Sequence, residues 1–121
     1  MNKKRKILIV DDDATNRKFL NIVLSKKPNI EIIEAENGSD ALSKLNEDIS
    51  LILLDIYMPV MDGIQFMQNL QMSYPQFSSI PIIVLSTDDT KKQEALSWGA
   101  KEFVIKPVSP TNLWELISKY I

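Results

Sequence analysis

The chain has 121 residues, 45% of them hydrophobic, and a net charge of −2. That length suits one compact domain with one core, spanning residues 1–121, and leaves no room for a second domain of ordinary size. The near-neutral charge argues against a non-specific nucleic-acid surface, the absence of cysteine excludes a disulfide framework and thiolate chemistry, and no stretch reaches the roughly 18 apolar residues of a membrane span.

The N-terminus, Met1-Asn-Lys-Lys-Arg-Lys6, is basic and reads as a solvated end leading into a buried strand, Lys6–Val10. The apolar run Ile7–Val10 stops at Asp11, short of the roughly 7–15 residues of a secretion signal. A first helix follows, with Phe19/Val23 and Leu20/Leu24 at i,i+4. Pro28-Asn29 breaks it before a second strand, Ile30–Ala35. After Asn37-Gly38, Ser39 and Asp40 are expected to cap a second helix carrying Ala41, Leu42 and Leu45. A third strand, Leu51–Leu54, precedes a helix marked by Met67 and Leu70 and bounded by Pro75. Pro81 introduces a fourth strand, Ile82–Leu85. The fourth helix, near Lys91 to Trp98, is weak, with only Ala95, Leu96 and Trp98 as apolar points before Gly99. A fifth strand, Glu102–Ile105, and a last helix with Leu113, Leu116, Ile117 and Tyr120 complete the chain.

Several of these strands are apolar on both faces and rich in Ile and Val, the pattern of a parallel sheet covered on both sides. Five strand–helix alternations with right-handed crossovers give an α/β, doubly wound (βα)5 fold. Ligands in such sheets gather outside the carboxyl ends of the strands.

At those ends the sequence places Asp11-Asp12-Asp13, Asp55, Ser86-Thr87 and Lys106-Pro107. Taken singly, each has an ordinary use: an Asp or Ser caps a helix, and a Lys before Pro sits in a solvated turn. Together they need a cationic partner, because two carboxylates about 4 Å apart repel by roughly 4 kcal/mol at an effective dielectric near 20. Oxygen ligands in a chain with no His and no Cys point to Mg²⁺ rather than Zn²⁺. With Lys106 as a point charge and the Ser86 hydroxyl as a donor, the set supplies a nucleophile, a metal site and charge stabilisers for in-line phosphoryl transfer.

Four strings, in this order, resemble the signature segments of the response regulator receiver domains of two-component signalling: Ile7-Leu-Ile-Val-Asp-Asp-Asp13, Leu53-Leu-Asp-Ile-Tyr-Met-Pro-Val-Met-Asp-Gly63, Ile82-Ile-Val-Leu-Ser-Thr87 and Phe103-Val-Ile-Lys-Pro107. The resemblance covers the whole chain. It implies a flavodoxin-like three-layer sandwich with parallel strand order 2-1-3-4-5. It makes Asp55 the phosphoacceptor. Asp12, the Asp55 carboxylate and the Tyr57 backbone carbonyl would bind Mg²⁺ directly, and Asp11 directly or through water. Ser86 becomes the switch hydroxyl, Phe103 the switch aromatic and Lys106 the family lysine, with Lys106–Pro107 a cis peptide. A phosphoryl group on Asp55 would draw Ser86 inward, free space for Phe103 and change the face built from the fourth helix, fifth strand and fifth helix.

The implied donor is a histidine kinase or a histidine phosphotransfer protein, since the chain itself has no histidine. The implied recipient is a downstream protein target or a C-terminal output domain outside these residues, in a cytoplasmic protein that is a monomer or a phosphorylation-dependent dimer. Such a domain is a signalling phosphoacceptor rather than an enzyme acting on a separate substrate. Tyr57 and Thr87 are bulky where they stand and are expected to shield the acyl phosphate from water. The interval from Ser86 to Gly99 is about two residues shorter than is common in the family, which predicts a truncated or irregular fourth helix.

Two other readings compete. Asp11-x-Asp13-x-Thr15 also matches the first motif of haloacid-dehalogenase-type phosphatases, with Asp11 as nucleophile, but only Glu115 follows Lys106 as a further acid, and Asp55 is left unexplained. A receiver-like module that is never phosphorylated is the other, although such modules typically lose the acidic pair, the acceptor or the lysine.

Overall fold

The computed structural model describes residues 4–121. Met1, Asn2 and Lys3 of the basic end lie outside the described residues, and Arg5 and Lys6 already belong to the first strand. Strands β1 (Arg5–Val10), β2 (Ile30–Ala35), β3 (Ile49–Asp55), β4 (Ile82–Ser86) and β5 (Glu102–Ile105) alternate with helices α1 (Ala14–Leu24), α2 (Gly38–Lys44), α3 (Gly63–Ser73), α4 (Lys92–Ser97) and α5 (Pro110–Ile117). The sheet is parallel in the order β2-β1-β3-β4-β5. This is the doubly wound, flavodoxin-like arrangement.

Side chains on a strand alternate between faces, and here they sort into two cores. Leu8 and Val10 of β1, Ile52 and Leu54 of β3 and Val84 of β4 pack with Ala41 of α2, Phe66 and Met67 of α3 and Ala95 of α4. Their neighbours Ile7, Ile9, Leu51, Leu53, Ile83 and Leu85 face the other way, against Leu20 and Leu24 of α1 and Leu113 and Ile117 of α5. Each such side chain, fully buried, contributes roughly 1.5–3 kcal/mol of transfer free energy. Runs apolar on both faces are therefore the chemical requirement of a sheet sandwiched between two helical layers.

Three local expectations are corrected. Asn37, not Ser39 or Asp40, caps α2: its side chain accepts the Asp40 N–H at 2.8 Å, so the helix opens at Gly38. Leu45 lies just past the end of α2 in an extended conformation, while still packing on the core. Phe19 is 47% exposed although Val23 and Leu20 are buried, because the apolar stripe of α1 is narrower than its sequence suggests. The weak fourth helix spans six residues. Among the described residues no helix is long and apolar enough to cross a membrane.

Candidate functional site

Strand register brings the candidate residues to one rim. Val10 pairs with Leu54, Asp55 with Leu85 and Ser86 with Ile105. Asp11 and Asp55 therefore stand level at the ends of adjacent strands, Ser86 is one step beyond the partner of Asp55, and Lys106 follows the partner of Ser86. Alternation then divides them. Asp55 shares its face with Leu51 and Leu53, toward α1 and α5. Ser86 and Phe103 share the faces of Val84 and of the core beneath α4, where Phe103 is partly buried. The acidic cluster and the Ser86–Phe103 pair thus lie on opposite sides of the same sheet edge.

Carboxylate oxygens of Asp11, Asp12 and Asp55 all lie within 4.8 Å of one another. Lys106 Nζ sits 3.4 Å from Asp11 Oδ2 and 3.6 Å from Asp55 Oδ2, the latter side chain 11% exposed. The other oxygen of Asp11 accepts the Asp13 N–H at 2.9 Å. Asp13 accepts the Thr15 N–H at 2.9 Å and is the N-cap of α1, so of the three consecutive acids one serves the helix and two face the site. The Lys106–Pro107 peptide is cis. Ser86 is fully buried at the end of β4, and its hydroxyl accepts the Asp88 N–H at 3.4 Å.

One lysine does not neutralise three carboxylates. Burial pushes the Asp55 carboxyl up to about 6; Lys106 pulls it down and Asp11 pushes it further up. The Ile56 and Tyr57 amides lower it by smaller amounts. The all-oxygen donor set, unbalanced by negative charge and free of soft ligands, fits a hard divalent cation.

Three features escaped the sequence reading. The Tyr57 hydroxyl lies 3.0 Å from Asp88 Oδ1 and 2.9 Å from the Thr90 hydroxyl, tying the β3–α3 loop to the β4–α4 loop. Arg17, on α1, reaches back to the backbone of Asp11. A pocket of about 400 Å³ adjoins the acidic cluster, lined by Asp11 and Lys106 together with Phe19, Leu20, Pro107 and Val108. Only the exposed apolar Phe19 could have signalled the last of these; the first two join residues 31 and 6 positions apart through polar side chains that read as solvated.

The parallel five-stranded sheet, with acids, a lysine and a hydroxyl gathered at one rim, defines a doubly wound, flavodoxin-like α/β domain. The response regulator receiver domain family matches residues 7–118, and the chain belongs to that family. It is 34% identical to chemotaxis protein CheY1 of Helicobacter pylori over 114 residues, 91% of each chain. It is 37% identical to a protein-glutamate methylesterase/protein-glutamine glutaminase of Geobacillus kaustophilus over 119 residues, 92% of this chain and 32% of that one. This chain spans about a third or less of the length of the first curated relatives it matches. Among solved structures, chemotaxis protein CheY4 of Vibrio cholerae superposes with a TM-score of 0.88 at 30% identity, covering 98% of this chain and 99% of that one. The response regulator TrrA of Thermotoga maritima, in complex with Mg²⁺ and BeF, gives 0.83 at 31% identity, covering 97% and 99%. Receiver domains are signalling phosphoacceptors rather than enzymes with a separate substrate, and membership of the family sets aside the phosphatase reading.

Proposed function

We propose that residues 1–121 form one receiver domain in which Asp55 accepts a phosphoryl group from a phosphohistidine on a partner kinase or phosphotransfer protein. The observation that carries this reading is the meeting of Asp11, Asp12 and Asp55 within 4.8 Å, with Lys106 against two of them.

An Asp55 oxygen attacks phosphorus in line, the P–O bond forms as the P–N bond to the donor imidazole breaks, and the imidazole nitrogen leaves with the electron pair. Lys106, 3.6 Å from Asp55, stands where it can bind a phosphoryl oxygen as charge develops there. Asp12, Asp55 and the Tyr57 carbonyl would hold Mg²⁺, with Asp11 direct or through water. Bound there, the ion supplies neutralisation of the phosphoryl oxygens. Both oxygens of Asp11 already have partners in Asp13 and Lys106, which favours the water-mediated role for it.

Ser86, whose hydroxyl oxygen now accepts the Asp88 N–H, turns to donate its O–H to a phosphoryl oxygen, and Phe103, on the same face of the sheet, turns into the space released. The surface built from α4, β5 and α5 changes shape and is read by a target protein or an output domain in the cytoplasm.

The test is labelling with acetyl phosphate and MgCl₂. Wild-type protein takes up a hydroxylamine-labile phosphoryl group, and Asp55→Asn takes up none. An unlabelled wild type, folded and supplied with Mg²⁺, overturns the proposal and leaves a module that signals by binding alone.

A further inference from the structure

Asp11 and Asp12 are joined by one peptide unit, and the orientation of that unit sets where the two candidate cation-binding side chains point. A peptide is planar, so holding its carbonyl holds six atoms from one Cα to the next. The N–H of Asp11 is fixed within the sheet by the Ala35 carbonyl, at 3.1 Å. Its carbonyl lies past the last strand pairing, in a buried residue, and requires a donor from elsewhere.

That donor is Arg17. Its Nη1 donates to the Asp11 carbonyl at 2.6 Å, while its Nε donates to Glu34 Oε1 at 3.0 Å. The other Glu34 oxygen accepts Asn21 Nδ2 at 3.1 Å, and the Asn21 carbonyl oxygen in turn accepts the Ser25 hydroxyl at 2.8 Å. Arg17 and Asn21 are one helical turn apart on α1, and Glu34 stands on β2, so the clamp joins helix, neighbouring strand and site. The guanidinium suits this task because its rigid fork serves two acceptors at once, which an ammonium does less well. Glu34 offsets much of its charge. What remains is chiefly geometric: the clamp aims the Asp11–Asp12 unit.

We infer that Arg17, anchored by Glu34 and Asn21, is a positioning residue that pre-organises Asp11 and Asp12 for a divalent cation. The inference rests on the proposed Mg²⁺ site. Groups that orient metal ligands typically cost roughly 10–100-fold in metal affinity when removed. The effect belongs to affinity rather than to chemistry, because none of the three clamp side chains touches the acceptor.

The experiment titrates MgCl₂ by calorimetry into wild type, Arg17→Met, Arg17→Lys and Glu34→Gln, with urea unfolding to confirm that each is folded. Acetyl phosphate labelling rates are then measured at low and at saturating Mg²⁺. Arg17→Met is expected to raise the Kd by roughly 10–100-fold. Glu34→Gln, the milder change, and Arg17→Lys, which keeps the charge without the fork, are expected to shift it in the same direction by less. Saturating Mg²⁺ returns the variants to near the wild-type labelling rate. Wild-type affinity in Arg17→Met and Glu34→Gln overturns the inference, as does a rate loss that saturating Mg²⁺ does not relieve. Should Arg17→Met not fold, Glu34→Gln decides the matter alone. A wild type that binds no Mg²⁺ overturns the underlying site reading instead, and is seen before any variant is compared.

Discussion

In the proposed role of phosphoacceptor, Asp55 would have to be buried enough to exclude water from an acyl phosphate and yet ionised enough to attack. Burial, with the nearby Asp11 charge, raises its carboxyl to about 6 from 3.8 against the pull of Lys106. The native state therefore holds a proton on Asp55 more tightly than the unfolded chain does. Between about pH 4 and pH 6 stability is lost as pH rises, and above that window the full penalty is present. The difference between 3.8 and about 6 corresponds to at most about 3 kcal/mol. In chelator-treated buffer at pH 7, Asp55→Asn should unfold at a higher urea concentration than wild type, and the gap should close as pH falls toward 4. A constant gap across that range would mean that charge on Asp55 is not what strains the fold. Tyr57 acts from outside the cluster, its hydroxyl shared between Asp88 and Thr90. With the β3–α3 and β4–α4 loops tied together by that bridge, Tyr57→Asn and Thr87→Ala are expected to shorten the lifetime of the phosphorylated form severalfold, read by loss of label after the donor is removed. Lifetimes unchanged in both would end the shielding account.

The junction of β3 and α3 converts strand register into site geometry. Gly63 opens α3 with its N–H on the Ile56 carbonyl at 2.8 Å, and a Cβ there would clash with the Asp55 carbonyl oxygen. Gly63→Ala must move α3 off β3, so a loss of about 1–3 kcal/mol in urea unfolding is expected, together with slower labelling of Asp55. Asp62 and Gln65 close a reciprocal capping box that fixes the helix start. Just before it Val60, 82% exposed with φ 70°, occupies the centre of a γ-turn closed by the Met61 N–H on the Pro59 carbonyl at 2.7 Å. A β-branched residue is strained there. Val60→Gly should raise stability by roughly 0.5–1 kcal/mol, the relief being partly offset by the greater freedom of glycine when unfolded. These elements were legible to different degrees. The strands could be read because their apolar runs are continuous, and α3 because Met67 and Leu70 repeat at helical spacing. The start of α2 was misplaced because Asn37, Ser39 and Asp40 are all competent caps, and only packing chooses among them.

Across the whole molecule, what could be read was whatever lies at strand ends. Asp11, Asp12, Asp55, Ser86 and Lys106 follow apolar runs directly, and a parallel sheet must bring such positions to one rim. Strand order came from family resemblance, since five similar apolar runs do not order themselves. The clamp at Arg17 and Glu34 stayed hidden because its residues lie 17 apart and look like solvated charges. The groove beside the rim stayed hidden because it forms only when α1 and the loop after β5 come together. In the proposed reaction a phosphohistidine carried on a protein would approach Asp55 along some surface, and this groove shares Asp11 and Lys106 with the site while offering the exposed ring of Phe19. Phe19→Glu leaves the core intact, because the ring is 47% exposed, and puts a negative charge where an apolar donor side chain would pack. A central aromatic contact typically carries about 2 kcal/mol, or roughly thirtyfold in affinity. Transfer from a phosphohistidine protein at sub-saturating concentration should slow by about that factor, while labelling by acetyl phosphate, which needs no docking surface, should keep its wild-type rate. Equal loss with both donors would place Phe19 in the support of the acidic cluster, and no loss with either would move the donor to another face of the rim.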